Sequence, residues 1–379
     1  MAIPLAGRLD GLILTPHGWL NGTLHHAQGR ITRLQGEAIE ASAVTDSDLP
    51  RLLPGFIDLH VHGGGGHDTM AGGDAVAAIA RSHARHGTTA LLATTMTAPS
   101  SEIEAALRAL APHVAQRPAS GSRVLGVHLE GPFINPSRLG AQPDCTMVAS
   151  LAQVLAWHAL APIRLVTLAP EVPGHMRLVG TLVAQGLRVQ IGHSAGSYED
   201  GVAALAAGAC GFTHLFNAMS GFHHREPGMA GAALAHAVRA EIIPDLLHVH
   251  PGAIRAALRA IPGLYCVSDA TAATGMPDGA YRLGRHIVHK CLGGVRLADG
   301  TLAGSTLTMD QALRNLVGLG LPLAEASRRT STLAAEHLGL NDRGRLETGA
   351  WADVVVLDGD LQVCGVVVEG ETLAPADDA

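Results

Sequence analysis

Two patterns of apolar and polar positions divide the chain. From residue 1 to about 52, short apolar runs are broken by Gly and Asn, as in Gly7-Arg8-Leu9, Gly11-Leu12-Ile13-Leu14, Gly18-Trp19-Leu20 and Arg30-Ile31-Thr32-Arg33-Leu34. The stretch from Arg345 to about Leu373 reads the same way: Asp353 to Leu357 and Val363 to Glu369 have the β-branched content of strands. Neither end holds enough strands for a stable sheet of its own. The two ends are therefore expected to pair into one small β domain, a β-sandwich built from residues 1–52 and 344–379, with the tail 372–379 loose.

Between them, residues 53–343 alternate short apolar runs with Ala/Leu-rich helical stretches. Strands are predicted near 54–62, 88–95, 123–130, 163–169, 187–193, 209–214, 239–245 and 264–269. Helices are predicted from Asp74 to His86, Glu102 to Val114, Met147 to Leu160 and Gly252 to Ala260. Strands alternating with helices predict an α/β parallel sheet, and the count of eight favours a (β/α)8 TIM-like barrel.

Composition narrows the function. Hydrophobic residues make up 47% and charged residues 16%, which excludes disorder as the main state. A formal net charge of −7 offers no basic surplus for nucleic acid. No apolar run reaches the length of a membrane span. The opening MAIPLAGRLDG lacks the regions of a signal peptide, and five scattered cysteines suit a reducing compartment, so a cytoplasmic location is expected. Lys290 is the single lysine, whereas His occurs 22 times. His25, His26, His83, His86, His113, His158, His175, His236, His286 and His337 are read as solvated or otherwise without a role in the chemistry.

The informative histidines end strands. Pro54-Gly55-Phe56-Ile57-Asp58-Leu59-His60-Val61-His62 runs into Gly63 to Gly66, and i, i+2 spacing points His60 and His62 the same way. Glu130 ends the third strand, His193 the fifth, His214 the sixth and Asp269 the eighth. Barrel enzymes carry their chemistry at the carboxyl ends of strands. Imidazole and carboxylate are the usual ligands of hydrolytic Zn²⁺ or Fe²⁺, so these six groups are candidate ligands for one or two divalent ions. His128 shares the face of Glu130 and is read as a supporting residue.

These motifs, with Gly349-Ala350-Trp351-Ala352-Asp353, resemble the amidohydrolase superfamily. More narrowly, the chain resembles its N-acetylglucosamine-6-phosphate deacetylase family. That likeness rests on His128 to Phe133, Thr167 to Glu171, Gly192-His193-Ser194, Thr213 to Met219, Arg225 to Gly228, Leu247-His248-Val249, Ser268-Asp269-Ala270 and Gly304 to Met309. It implies a metal-dependent hydrolase that cleaves a linear amide, converting N-acetyl-D-glucosamine 6-phosphate to D-glucosamine 6-phosphate and acetate in amino-sugar catabolism. Glu130, His193 and His214 would hold the principal ion, His60 and His62 a second, and Asp269 would be the general acid/base as well as a ligand. Ala141, Gln142, Asn217, Ala218, Arg225, His248, Leu302, Ala303 and Gly304 would contact substrate, Arg225 and His248 at the phosphate. Arg225 would reach a neighbouring subunit's site, which implies a homodimer. Relatives that bridge two ions with a modified lysine are excluded, because Lys290 follows the eighth strand and Glu130 occupies the bridging strand. The chain departs from the family pattern at Gly140-Ala141-Gln142, where the family has a histidine that orients the substrate carbonyl. Competing readings are an amidohydrolase acting on an N-acyl amino acid or cyclic amide, and a non-catalytic scaffold.

Overall fold

The computed structural model describes residues 6–45 and 47–373. Its centre is a curled parallel sheet. Six strands lie in the order Gly211–Phe212, Arg188–Ile191, Ile163–Leu168, Arg123–Glu130, Thr88–Thr94 and Phe56–Val61, and Arg239–Ile242 pairs in parallel with Gly263–Cys266. Two sets of main-chain bonds join these groups at their carboxyl ends. Leu215 N–H donates to Glu241 O at 2.9 Å, and Asp269 N–H donates to His60 O at 3.0 Å. The strands are buried on both faces, Phe56–Val61 and Thr88–Thr94 completely, which fits consecutive apolar residues such as Ala90, Leu91, Leu92 and Ala93. Helices such as Ala75–Ala84, Ser100–Ala115 and Leu151–Leu160 lie between successive strands. Ser150 caps the last of these, its side chain accepting from Gln153 N–H.

Several strands are shorter than the periodicity predicts: the sixth is Gly211–Phe212 against an expected 209–214. The cause is local. The chain turns out of the ladder at its candidate ligand residues, with φ of 47° at His193, 28° at His214 and 52° at Asp269.

The two chain ends meet in a seven-stranded sheet, ordered Glu371–Leu373, Val363–Val368, Val354–Leu357, Arg51–Pro54, Ala6–Thr15, Gly18–Ala27 and Arg30–Ile39. Ile13, Leu24, Ile31, Leu52, Val354 and Val367 pack a second core there. Buried Arg343 bridges Asp353 and Glu369, and Arg123 makes a two-pronged pair with Glu369 at 2.8 Å on each arm. Arg123 begins the third parallel strand, so this cluster ties one sheet to the other. The expected loose tail is corrected in part: Thr372 pairs with Val367 in the last strand, because Glu369-Gly370 makes a hairpin turn. Residues 374–379 and 1–5 lie outside the described residues. No helix among the described residues is long and apolar enough to cross a membrane.

Two further corrections concern the reading of the chain. An antiparallel three-stranded insert, Gly279–Leu283, His286–Cys291 and Gly294–Arg296, follows the eighth parallel strand and contains Lys290. His26, His83, His175 and His337 are buried, not solvated. Each sits on the inward side of its element. His83 Nε2 lies 2.9 Å from Gly63 O, and His175 bonds Ala169 O and Ala149 N–H.

His337 Nε2 accepts from Gln190 at 3.2 Å; burial, reinforced by the charges of Arg239 and Arg188, pushes this imidazole down to about 3. The unfolded chain would protonate it near 6.5 while the folded chain does not. Its contribution is therefore complete above that value and is lost as pH falls toward 3. At pH 5 the loss amounts to about 2 kcal/mol. Urea titrations at pH 7 and pH 5 should show a shallower drop in unfolding free energy for His337→Gln than for the parent.

Candidate active site

Every strand-end donor named from the sequence arrives at one rim. Glu130, 1% exposed, stands at the centre. Its Oε1 lies 3.0 Å from His214 Nε2 and 3.3 Å from His193 Nε2. Its Oε2 lies 3.0 Å from His62 Nε2 and 3.5 Å from His60 Nε2. Asp269 Oδ1 is 3.4 Å from His60 Nε2 and 3.5 Å from His62 Nε2. The donors fall into two sets, His60 with His62 and Asp269, and Glu130 with His193 and His214.

This arrangement suits cations. Within each set two imidazole nitrogens face each other, His60 and His62 at 3.1 Å, His193 and His214 at 3.2 Å. Two neutral lone pairs at that separation repel unless a proton or a metal ion lies between them. Tetrahedral Zn–N bonds of about 2.05 Å would set such nitrogens roughly 3.4 Å apart. The tautomers agree. His193 Nδ1–H donates to Arg138 O at 2.7 Å, and His60 Nδ1–H donates to Glu241 Oε2 at 3.1 Å, so each ring turns Nε2 inward, where it can hold either a metal ion or the proton that it gives to Glu130. Burial pushes the Glu130 carboxyl up, but the His60 charge and hydrogen bonds from His193, His214 and His60 hold it well below the carboxylate range. Burial likewise opposes protonation of His60 and His193, and the neighbouring carboxylates more than reverse this. The field at the rim is one that seeks positive charge.

A cleft of about 700 Å³ opens over the rim. Ala141, Gln142, Asn217, Ala218, His248, Leu302 and Gly304 line it, joined by Met96, Leu283 and Thr301. Ala303 turns away into the small core beneath the insert. Gly304 has φ of 61°, and a Cβ there would meet Asp269 O at 2.9 Å, so only glycine fits beside the acid. Asp245 accepts from His248 Nδ1–H at 2.7 Å and holds the ring so that Nε2 is its free nitrogen. Burial lowers the His248 pKa, but the Asp245 bond and charge raise it above the ordinary imidazole value. Arg225 lies apart from this cleft. It lines a separate surface groove with Tyr198 and Glu226, exposed and bonded to His224 at 2.7 Å.

The sequence profile of the Amidohydrolase family matches residues 51–373. The chain belongs to the amidohydrolase family. It is 42% identical over 372 residues to the N-acetylgalactosamine-6-phosphate deacetylase of Escherichia coli O157:H7, covering 95% of this chain and 97% of that one. It is 38% identical over 364 residues to the N-acetylglucosamine-6-phosphate deacetylase of Vibrio furnissii, covering 94% and 90%. Among solved structures, a variant N-acetyl-D-glucosamine-6-phosphate deacetylase from Mycobacterium smegmatis, in complex with N-acetyl-D-glucosamine-6-phosphate, superposes with a TM-score of 0.89 at 34% identity, covering 97% of this chain and 99% of that one. The Thermotoga maritima N-acetylglucosamine-6-phosphate deacetylase gives 0.87 at 31% identity, with the same coverage. The amidohydrolase family is metal-dependent, as the donor sets of this chain suit.

Three further residues, to none of which the sequence reading assigned a role, support the candidate site. Glu241, fully buried on the seventh strand, accepts from His60 Nδ1–H and, at 3.1 Å, from the His214 backbone N–H. Glu171 accepts from Ser194 Oγ–H at 2.6 Å and Ala195 N–H at 2.7 Å, which fixes the chain leaving His193. Asp245 orients His248 as described. The available signal was an acid alternating with apolar residues in Arg239-Ala240-Glu241-Ile242, on a strand buried on both faces. The His60 and His214 donors share Oε2 and the Tyr265 hydroxyl donates to Oε1, so replacing Glu241 by Gln sets an amide N–H either against both of the former or against the latter. Zinc titration of the metal-free Glu241→Gln variant should give an affinity about 10- to 100-fold below the parent.

Proposed function

We propose that this amidohydrolase removes acetate from N-acetyl-D-glucosamine 6-phosphate, yielding D-glucosamine 6-phosphate. The observation that carries this reading is the convergence of two three-donor sets, one of which includes Asp269, beneath a cleft whose wall includes His248. We further infer that the curled sheet closes as a (β/α)8 barrel through the Asp269-to-His60 bond, and that the residues near 53–343 form a catalytic domain carried on a β-sandwich of both chain ends.

Glu130, His193 and His214 would hold one divalent ion, zinc or iron, and His60, His62 and Asp269 a second, with Glu130 reaching both. Such ions, when bound, polarise an amide carbonyl and make hydroxide available at neutral pH. The chain's own residues do the rest. Asp269 takes the proton from the attacking water as its oxygen adds to the acetamide carbon. Asp269 then returns that proton to the amide nitrogen, the C–N bond breaks, and acetic acid and the amine form; the acid's proton passes to the amine, and acetate and the ammonium product leave. An amide nitrogen departs poorly unless protonated, so one carboxylate serves both steps. His248, held by Asp245, donates to the phosphate. Leu283 and Leu302 add apolar surface to the cleft wall.

Arg225 supports a homodimer. Its guanidinium is suited to phosphate and is exposed outside its own cleft, while Phe222 nearby in sequence is 63% exposed. Arg225 would complete the phosphate pocket of a second copy. A cytoplasmic location follows for an enzyme of sugar-phosphate catabolism.

Acetate release should be measured, after metal reconstitution, across N-acetylglucosamine, N-acetylgalactosamine and their 6-phosphates. The glucosamine phosphate should have the highest kcat/KM; activity confined to N-acyl amino acids or cyclic amides would overturn the reading. Asp269→Asn should lower kcat by about 10² to 10⁴ while keeping substrate binding and the ion at Glu130, His193 and His214. Arg225→Ala should raise KM for the phosphorylated sugar far more than for the free sugar; equal effects would place Arg225 outside the phosphate pocket.

A further inference from the structure

Gln142 stands on the loop after the third parallel strand, 5% exposed, at the wall of the cleft. Its Oε1 accepts from the Thr97 backbone N–H at 2.7 Å. Its Nε2 donates to Glu130 Oε2 at 2.6 Å. The direction of the amide follows from its partners. A main-chain N–H only donates and a carboxylate only accepts, so the reversed amide would face N–H with N–H and oxygen with oxygen. The Gln142 backbone is itself held, its N–H donating to Leu139 O at 2.9 Å.

Glu130 has to address two donor sets at once, Oε1 toward His193 and His214, Oε2 toward His60 and His62. The torsion that sets the plane of a Glu carboxylate is broad and soft. The four imidazole nitrogens stand 3.0 to 3.5 Å from the Glu130 oxygens, farther than the Gln142 amide at 2.6 Å. A short bond from a fixed amide to one oxygen removes this freedom. It also places a neutral donor beside Oε2, so the charge of Glu130 stays available to cations.

We propose that Gln142 is a positioning residue for Glu130: its amide, anchored on Thr97, locks the carboxylate plane so that each oxygen serves one donor set. The side chain is therefore turned inward. Its oxygen and one amide hydrogen are already engaged, leaving one N–H and no charge toward the cleft. The histidine that the resemblance implies here would orient the substrate carbonyl; in this chain that work falls to other groups in the cleft. This inference rests on the metal-site reading given above, and its test does not require the substrate to be right.

Metal-free Gln142→Met, which keeps the length of the side chain but has no donor for Glu130, and Gln142→Ala would be titrated with Zn²⁺ against a chelating competitor. Both variants should bind zinc about 10- to 100-fold more weakly than the parent. At saturating zinc, KM for N-acetylglucosamine 6-phosphate should change less than twofold while kcat falls. Zinc isotherms matching the parent would overturn the proposal, and a tenfold rise in KM alongside them would make Gln142 a substrate contact. Failure of the parent to release acetate from any amino-sugar phosphate would overturn the proposed reaction, leaving the zinc comparison to decide the role of Gln142.

Discussion

A buried negative charge organises this molecule. Glu130 is 1% exposed, and a carboxylate withdrawn from water costs several kcal/mol even after relaxation. It is stable there only if positive charge and hydrogen bonds converge on both oxygens. The structure meets that demand with four imidazoles, and a fifth donor comes from Gln142. The requirement reaches far along the chain. Four strands must end at one level, and the loops after the second and third must come together at Gln142 and Thr97.

Three of the candidate ligand residues lie in costly backbone conformations. His193, His214 and Asp269 all have positive φ, where a non-glycine residue costs on the order of 1–3 kcal/mol. Each is held by bonds that its turn makes available. His193 O accepts from Asn135 N–H at 2.9 Å, His214 N–H reaches Glu241, and Asp269 O accepts from Ser305 N–H at 2.7 Å. The left-handed turn is what redirects a side chain from the curled sheet toward the rim. The strain and the site are thus one feature, maintained by the sheet around it.

Much of this was legible because it obeys short rules. Alternation along Asp58 to His62 placed two histidines on one face, and the ends of apolar runs located Glu130, His193, His214 and Asp269. The parallel strands were legible too, since a strand buried on both faces is a plain apolar run. What escaped depends on partners distant in sequence. Glu241 looks like a solvated acid until the seventh strand is seen beside His60. His83, His175 and His337 each have a buried acceptor or donor supplied by another segment, such as Gly63 O or Gln190. The insert after the eighth strand carries the alternating polar pattern of an exposed sheet, with nothing in the pattern to distinguish it from loop.

Beneath the charged rim lies a layer of neutral polar groups, and its hydrogens can be followed one by one. Burial and the His60 charge hold His128 far below its ordinary pKa, so the ring is neutral. Its Nδ1–H donates to Leu59 O at 3.1 Å, which leaves Nε2 to accept the Thr167 hydroxyl at 2.7 Å. The single Thr213 hydroxyl hydrogen then faces two acceptors, Thr167 at 2.7 Å and Gln190 Oε1 at 3.0 Å. Gln190 donates to Tyr265, whose hydroxyl, kept protonated by burial and the Glu241 charge, donates to Glu241. Glu241 completes the path by fixing His60. A layer of this kind stabilises the fold weakly, because each bond replaces one to water. Its value lies in the penalty for error: removing one member strands a buried partner at roughly 1–3 kcal/mol. An apolar layer would tolerate small rotations of the histidines above it. This one converts a rotation of His60 into a broken bond with Glu241, so that ring keeps one tautomer and one orientation.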